Sequence, residues 1–306
     1  LSAALWGNVP SRAQLQFLKA YCRDFLLKRA SCVRLRDAVK EQRGRLLRRQ
    51  WKKKTARCLH ENRYFKKVRC GRCNGFACRD CPASVLRLMD NPDRLFGHPD
   101  AQVLKDSRTT SSLILKSPDA GPLFLKRYNR KGAWHVLKHL FRSSRARRVW
   151  TAAHAMLARE LPTPRPLLFF EERRFGVVTR SFFAAPAVVP AVTLQAFSAG
   201  AFTRLGRREK QDCIRSFAQR LRDLHDRGVR HGDLKASNIL IAGDGSARNE
   251  FYFVDLDAAV VKKKLSLGDR CRDLARLHRA LPVPGTVSSS HRLLFLKTYL
   301  GAVKRE

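Results

Sequence analysis

The run His231-Gly232-Asp233-Leu234-Lys235-Ala236-Ser237-Asn238, followed by Asp255, concentrates the residues of this chain that are suited to chemistry. Moving a phosphoryl group asks little covalent work of a protein. It needs an acceptor hydroxyl held in line, a carboxylate to orient that hydroxyl or take its proton, and a divalent cation to spread the phosphate charge. Asp233 has the place of such a carboxylate, in a loop after an apolar helix and the Gly228-Val229-Arg230 turn. Lys235 lies two residues on, within reach of a transferring phosphate, so Asp233 and Lys235 form the predicted catalytic pair. Asn238 opens the apolar run Ile239–Ile241 and Asp255 closes the run Phe251–Val254. Both present hard oxygens of the kind Mg2+ prefers. Singly, each is a common surface-turn residue. The order helix, Asp loop, strand, turn, strand ending in Asp predicts a kinase-like phosphotransferase that uses ATP and Mg2+.

Other elements must hold these residues in place. Glu209–Arg227 reads as an amphipathic helix with Ile214, Phe217, Leu221 and Leu224 on one face, stopped by Gly228. Strands are predicted at Gln102–Lys105, Ser112–Lys116, Leu123–Tyr128, Leu167–Phe170 and Phe175–Thr179, from their apolar runs and polar turns. Arg145–Glu160 has helical periodicity and ends at the Pro-rich stretch Pro162–Pro166. Helices at 273–281 and 292–303 complete the chain.

In order, Leu125-Lys126-Arg127-Tyr128, the Ser144–Trp150 helix start, Leu161–Leu167, His231–Asn238 and Val254-Asp255-Leu256-Asp257 resemble the lipopolysaccharide core (Kdo/heptose) kinase family of the protein-kinase-like superfamily. The resemblance runs from about residue 100 to the end. It implies an α+β, bilobal protein-kinase-like fold, and the chain's own pattern divides into a basic N-terminal extension over 1–99, a small β-rich N-lobe over 100–180 and a larger helical C-lobe over 181–306. It implies Lys126 as the strand lysine that holds the ATP phosphates, with Asn238 and Asp255 as cofactor and metal contacts. Asp257 is open to two readings, a further metal contact or a loop cap. Two departures stand out. The expected nucleotide loop, Lys105–Ser111, has no glycine, and the helical position where a glutamate would pair with Lys126 is Val149.

Composition narrows the partner. With 63 Lys+Arg against 25 Asp+Glu, the net charge of +38 calls for an anionic one. Seven of the twelve residues from Arg43 to Lys54 are basic, and with Leu46, Leu47 and Trp51 they predict a basic amphipathic helix able to lie on an anionic membrane. The uncharged stretch Ser181–Thr203 is long enough to span a bilayer, but Pro186, Pro190 and Gly200 interrupt it and a span there would divide the active site. It is expected to frame the acceptor cleft. Nine cysteines with no signal-peptide pattern point to free thiols in a reducing compartment. Cys70, Cys73, Cys78 and Cys81 leave open a zinc site or a hairpin around Asn74-Gly75. Phe17–Tyr21 echoes Phe295–Tyr299, which suggests that residues 1–21 are the tail of an upstream repeat.

The resemblance implies a kinase for a sugar hydroxyl on lipopolysaccharide core or a related lipid-linked glycan, and the basic charge fits it. Its place would be cytoplasmic, peripheral at the inner face of the cytoplasmic membrane. A RIO-like protein Ser/Thr kinase, or a weakly catalytic scaffold binding RNA or anionic lipid, are the alternatives.

Overall fold

The computed structural model describes residues 29–129, 143–243, 249–281 and 287–301, with a few helical positions between 13 and 20. The Phe17–Tyr21 echo therefore lies largely outside the described residues. The chain divides into two compact units, Leu1–Lys54 and Thr55–Glu306. Most of the described part of the first is helix α1 (Arg29–Ala56). Its apolar residues do not gather into one stripe. Leu46 and Leu47 are consecutive, hence about 100° apart around the axis, and Leu46 is exposed while Leu47 is half-buried. Over Arg29–Ala56 as a whole the helix is basic with little amphipathic character, which departs from the reading of Arg43–Lys54.

In the second unit, β1 (Phe65–Cys70) and β2 (Cys73–Cys78) precede a short helix, α2 (Ala83–Arg87). Strands β3 (Ala101–Ser107), β4 (Thr110–Ser117) and β5 (Gly121–Asn129) follow, then helix α3 (Arg145–Leu157) and strands β6 (Leu168–Arg174) and β7 (Val177–Pro186). All seven strands form one antiparallel sheet in the order β1-β2-β6-β7-β5-β4-β3. The sheet thus begins well before residue 100, because the hairpin assigned to the extension adds two strands beside β6. Gly75 permits this: a Cβ there would lie 1.9 Å from the Phe169 carbonyl oxygen.

Helix α3 crosses the sheet. Ser144 caps its start by accepting a hydrogen bond from the Arg147 N–H at 3.1 Å. Ala146, Val149, Trp150, Ala153 and Met156 form its buried face. Trp150 Nε1 donates to the Cys58 carbonyl at 2.8 Å, and Phe170 stacks on Phe182 with ring centroids 4.6 Å apart. Burying each such large apolar side chain contributes about 1.5–3 kcal/mol.

The remainder is mostly helical: β8 (Ala191–Thr193), α4 (Leu194–Ala199), α5 (Ala201–Arg204), α6 (Arg207–Asp226), β9 (Val229–Arg230), β10 (Ile239–Ala242), β11 (Glu250–Phe253), β12 (Val260–Val261), α7 (Leu267–Ala280) and α8 (Ser289–Leu300). Helix α6 packs on α8, with Phe217 5.8 Å from Phe295 and 5.2 Å from Phe251 between ring centroids. Together the sheet and these helices form a kinase-like α+β arrangement.

The uncharged stretch is folded into the protein: it completes β7 and forms β8, α4 and α5, burying Phe182, Phe183, Leu194, Phe197 and Phe202. No helix among the described residues is long and apolar enough to cross a membrane. The hairpin of β1 and β2 turns at Gly71-Arg72, with Cys70 opposite Cys73, and not at Asn74-Gly75. Burial pushes the Cys73 and Cys78 thiols up to about 11 and the Cys81 thiol to about 12. Among the described residues no group of three or more His, Cys, Asp or Glu is placed to hold a metal ion. These cysteines pack as thiols.

Candidate active site

The loop between β9 and β10 is held from beneath by one buried carboxylate. Asp273, on α7, accepts hydrogen bonds from the His231 N–H at 2.7 Å and the Gly232 N–H at 3.0 Å. Its Oδ2 also lies 3.4 Å from His225 Nε2, and His225 Nδ1 is 2.6 Å from the Tyr299 hydroxyl. His225 is therefore a buried link between α6, α7 and α8, more than the helix-end residue its position suggests. His231 is also fully buried, and its Nε2 donates to the Val254 carbonyl at 3.0 Å. Burial holds its pKa down. It braces the loop and is no base for a substrate.

Gly232 explains why glycine stands before Asp233. Its φ is +79°, and a Cβ would meet the Ala258 carbonyl oxygen at 2.2 Å. The Asp233 loop and the turn after Asp255 touch there, so any larger residue would push them apart.

Pairing between β10 and β11 sets the next two residues. Ile239 opposes Phe253, and the Val254 N–H donates to the Asn238 carbonyl at 3.0 Å, placing Asn238 and Asp255 at the same end of the ladder. Asn238 Nδ2 donates to the Asp233 carbonyl at 2.9 Å and approaches Asp233 Oδ2 at 3.3 Å. Asp233 Oδ2 also accepts from Lys235 Nζ at 2.9 Å, and Oδ1 from Arg276 at 3.1 Å. Burial would raise the Asp233 pKa, but the Lys235 hydrogen bond and the charges of Lys235 and Arg276 outweigh it and hold it below the usual carboxylate value. Asp255 has φ +58° and ψ +56°, a left-handed conformation that costs a non-glycine residue about 1–2 kcal/mol.

Lys126 approaches this cluster from β5. Its Nζ is 2.5 Å from Asp255 Oδ1 and 3.3 Å from Asp257 Oδ2. The sheet lysine and the carboxylate after β11 are thereby joined. Beside Lys126, the β3–β4 hairpin closes at Ser107 and Thr110 without glycine, and Ser111 Oγ donates to Asp106 at 2.6 Å. Ser112 pairs with Lys126 across the ladder. The glutamates nearest in sequence to this helix and the strand after it are engaged elsewhere: Glu171 binds Arg173 at 2.6 Å, Glu172 binds Arg180 at 2.6 Å, and Glu160 lies 3.8 Å from Arg227.

The family model described as "Lipopolysaccharide kinase (Kdo/WaaP) family" matches residues 101–299. The chain belongs to this family. It is therefore a kinase, a phosphotransferase of lipopolysaccharide biosynthesis. A solved structure of WaaP in complex with acyl carrier protein is similar in fold, with a TM-score of 0.56 and 21% identity over 72% of this chain and 86% of that one. No curated protein matches the sequence.

Three participants in the kinase's site were not singled out from sequence. Arg276 lies far from Asp233 in the chain and reaches it only because α7 passes under the loop. Tyr128 and Arg145 stood within recognised motifs, but nothing in their spacing signalled that both converge on Asp257.

Proposed function

We propose that the kinase transfers the γ-phosphoryl group of ATP to a sugar hydroxyl of lipopolysaccharide core, or of a related lipid-linked glycan, at the inner face of the cytoplasmic membrane. The observation that carries this reading is the 2.5 Å contact of Lys126 with Asp255 beside the Asp233–Asn238 loop, in a chain of the lipopolysaccharide kinase family. Asp233 orients the acceptor hydroxyl and accepts its proton. Lys235, half-exposed beside it, balances charge on the phosphoryl group in transit. Lys126 holds the nucleotide phosphates. The oxygens of Asp255 and Asn238 suit Mg2+, which they would hold and which, when bound, spreads the phosphate charge.

Basic helix α1 supplies the membrane contact. Having no apolar stripe, it attracts anionic headgroups by charge, at about 1 kcal/mol per basic residue near the surface. The test is ATP consumption with lipid-linked core glycan, glycan-free lipid and a generic protein as acceptors. Turnover is expected with the glycan alone. Transfer to protein would favour the RIO-like reading, and salt-sensitive RNA binding without turnover would favour the scaffold.

We further propose an acyl carrier protein as partner, as in the WaaP complex. A cavity of about 440 Å3 between α4, α6, α7 and α8 is lined by Leu194, Phe197, Phe217, Leu274 and Phe295. It offers an acyl chain an apolar seat. Co-purification of acylated carrier with wild type, lost in Phe217→Asp, is the expected result.

A further inference from the structure

The missing helix glutamate leaves the question of what positions Lys126. The contacts around Asp257 answer it. Asp257 Oδ1 accepts from the Tyr128 hydroxyl at 2.5 Å, and Oδ2 accepts from Arg145 at 2.5 Å and from Lys126 at 3.3 Å. Both oxygens are engaged by protein donors. Tyr128 is buried, and two cations approach its ring, Lys126 Nζ at 5.1 Å and Arg145 Cζ at 4.7 Å from the centroid. Asp255 differs: its side chain is more exposed, 38% against 16%, and its contact in this cluster is with Lys126.

Charge and chain order explain the exchange. Where a glutamate would project from the helix beside the sheet lysine, this helix begins Ser144-Arg145-Ala146-Arg147-Arg148 and has buried Val149 further along. A cation at Arg145 cannot pair with Lys126. It can share an anion with it, and that anion comes from the turn after β11. The helix still couples to the lysine, through a carboxylate held between them.

We infer that Asp257 is the positioning residue for Lys126, replacing the helix glutamate, with Tyr128 and Arg145 fixing its carboxylate, and that it is not a metal ligand. This rests on the proposed function only in taking Lys126 as a nucleotide-phosphate contact. The geometry then divides the labour between two carboxylates two residues apart: Asp255 toward the metal, Asp257 toward the lysine.

Binding of a non-hydrolysable ATP analogue to the full chain, measured by calorimetry with Mg2+ and again with EDTA, separates the roles. Asp257→Asn should weaken binding about tenfold in both conditions, the size of one charge-assisted hydrogen bond. Tyr128→Phe, which keeps the ring and removes one donor, should weaken it in both by a smaller factor. Asp255→Asn, which also removes the 2.5 Å partner of Lys126, should weaken it far more with Mg2+ than with EDTA. Acylation of Lys126 by an amine-reactive probe, read by peptide mass spectrometry, needs neither nucleotide nor acceptor and should rise several-fold in Asp257→Asn. An Asp257→Asn loss confined to the Mg2+ arm would make Asp257 a metal ligand and overturn the assignment. Unchanged Lys126 labelling would overturn it too. If no analogue binds wild type yet labelling rises, the ATP reading fails and the positioning role stands.

Discussion

Asp233→Asn protein is expected to transfer phosphate roughly 10²–10⁴-fold more slowly than wild type, the usual contribution of a positioned acid or base, while binding ATP with unchanged affinity. Asparagine fills the same space, and the loop does not depend on the carboxylate for its shape. Asn238 bonds to the Asp233 backbone carbonyl, and Asp273 holds the preceding two N–H groups. What disappears is the anion facing the acceptor. Because Lys235 and Arg276 together hold the Asp233 carboxyl below its usual range despite burial, the acid limb of the kcat–pH profile should lie below about pH 4, the ordinary aspartate value. Removing the Arg276 charge, as in Arg276→Gln, should move that limb upward. A carboxylate this acidic is a weak base, which suits orientation of a hydroxyl in a loose transition state better than early proton abstraction. Single-turnover rates at saturating ATP and acceptor decide the matter: equal rates for Asp233→Asn and wild type would remove Asp233 from the reaction.

Much of this site was legible because local chemistry wrote it. The Asp233 loop, Asn238 and Asp255 lie on consecutive elements whose pairing is short-range, so helix, loop and hairpin signals sufficed. The strands β3, β4 and β5 and helix α3 were legible for the same reason, through alternation and a Ser144 cap. Contacts set by the sheet's far edge were not. Nothing in Cys73–Cys78 says that it will lie beside β6, because the register is set by the close approach of Gly75 to Phe169. The role of Asp257 was hidden for a related reason. Its partners Tyr128 and Arg145 come from a strand and a helix well over a hundred residues earlier in the chain, and spacing within Val254–Asp257 distinguishes neither a cap from a metal contact nor either from a lysine's counter-ion. Helix α1 shows the opposite failure. Leu46, Leu47 and Trp51 suggested a seam, but basic residues surround the whole of Arg29–Ala56 and Leu46 is left exposed.

Asp273→Ala should be the most damaging single change outside the reacting groups. The carboxylate is fully buried and satisfies two backbone N–H groups of the Asp233 loop as well as facing His225. Alanine would leave these donors without partners in the interior, where each unsatisfied group costs about 1–3 kcal/mol. A total of about 3–5 kcal/mol matches the loss seen when one partner of a buried charged pair is removed. At roughly 2–4 °C per kcal/mol for a unit of this size, Tm should fall by about 6–20 °C. The sign of the pH dependence follows from the folded-state pKa. Burial would raise it, but the His225 hydrogen bond and the two backbone N–H groups outweigh burial and lower it below the ordinary value of 3.8. A carboxyl whose pKa is depressed by folding contributes its full stability above the unfolded value and loses it as pH falls through the folded one. Wild type should therefore lose stability below about pH 4, the unfolded aspartate value, and Asp273→Asn should show a shallower decline there. Catalysis gives the second readout. If Asp273 acts by holding His231 and Gly232, the Asp273→Asn enzyme, assayed at a temperature where it is fully folded, should show a lowered kcat with little change in KM for ATP, because Lys126 is held separately through Asp257. A rise in KM without loss of kcat would mean that the loop and the lysine are coupled through α7 after all.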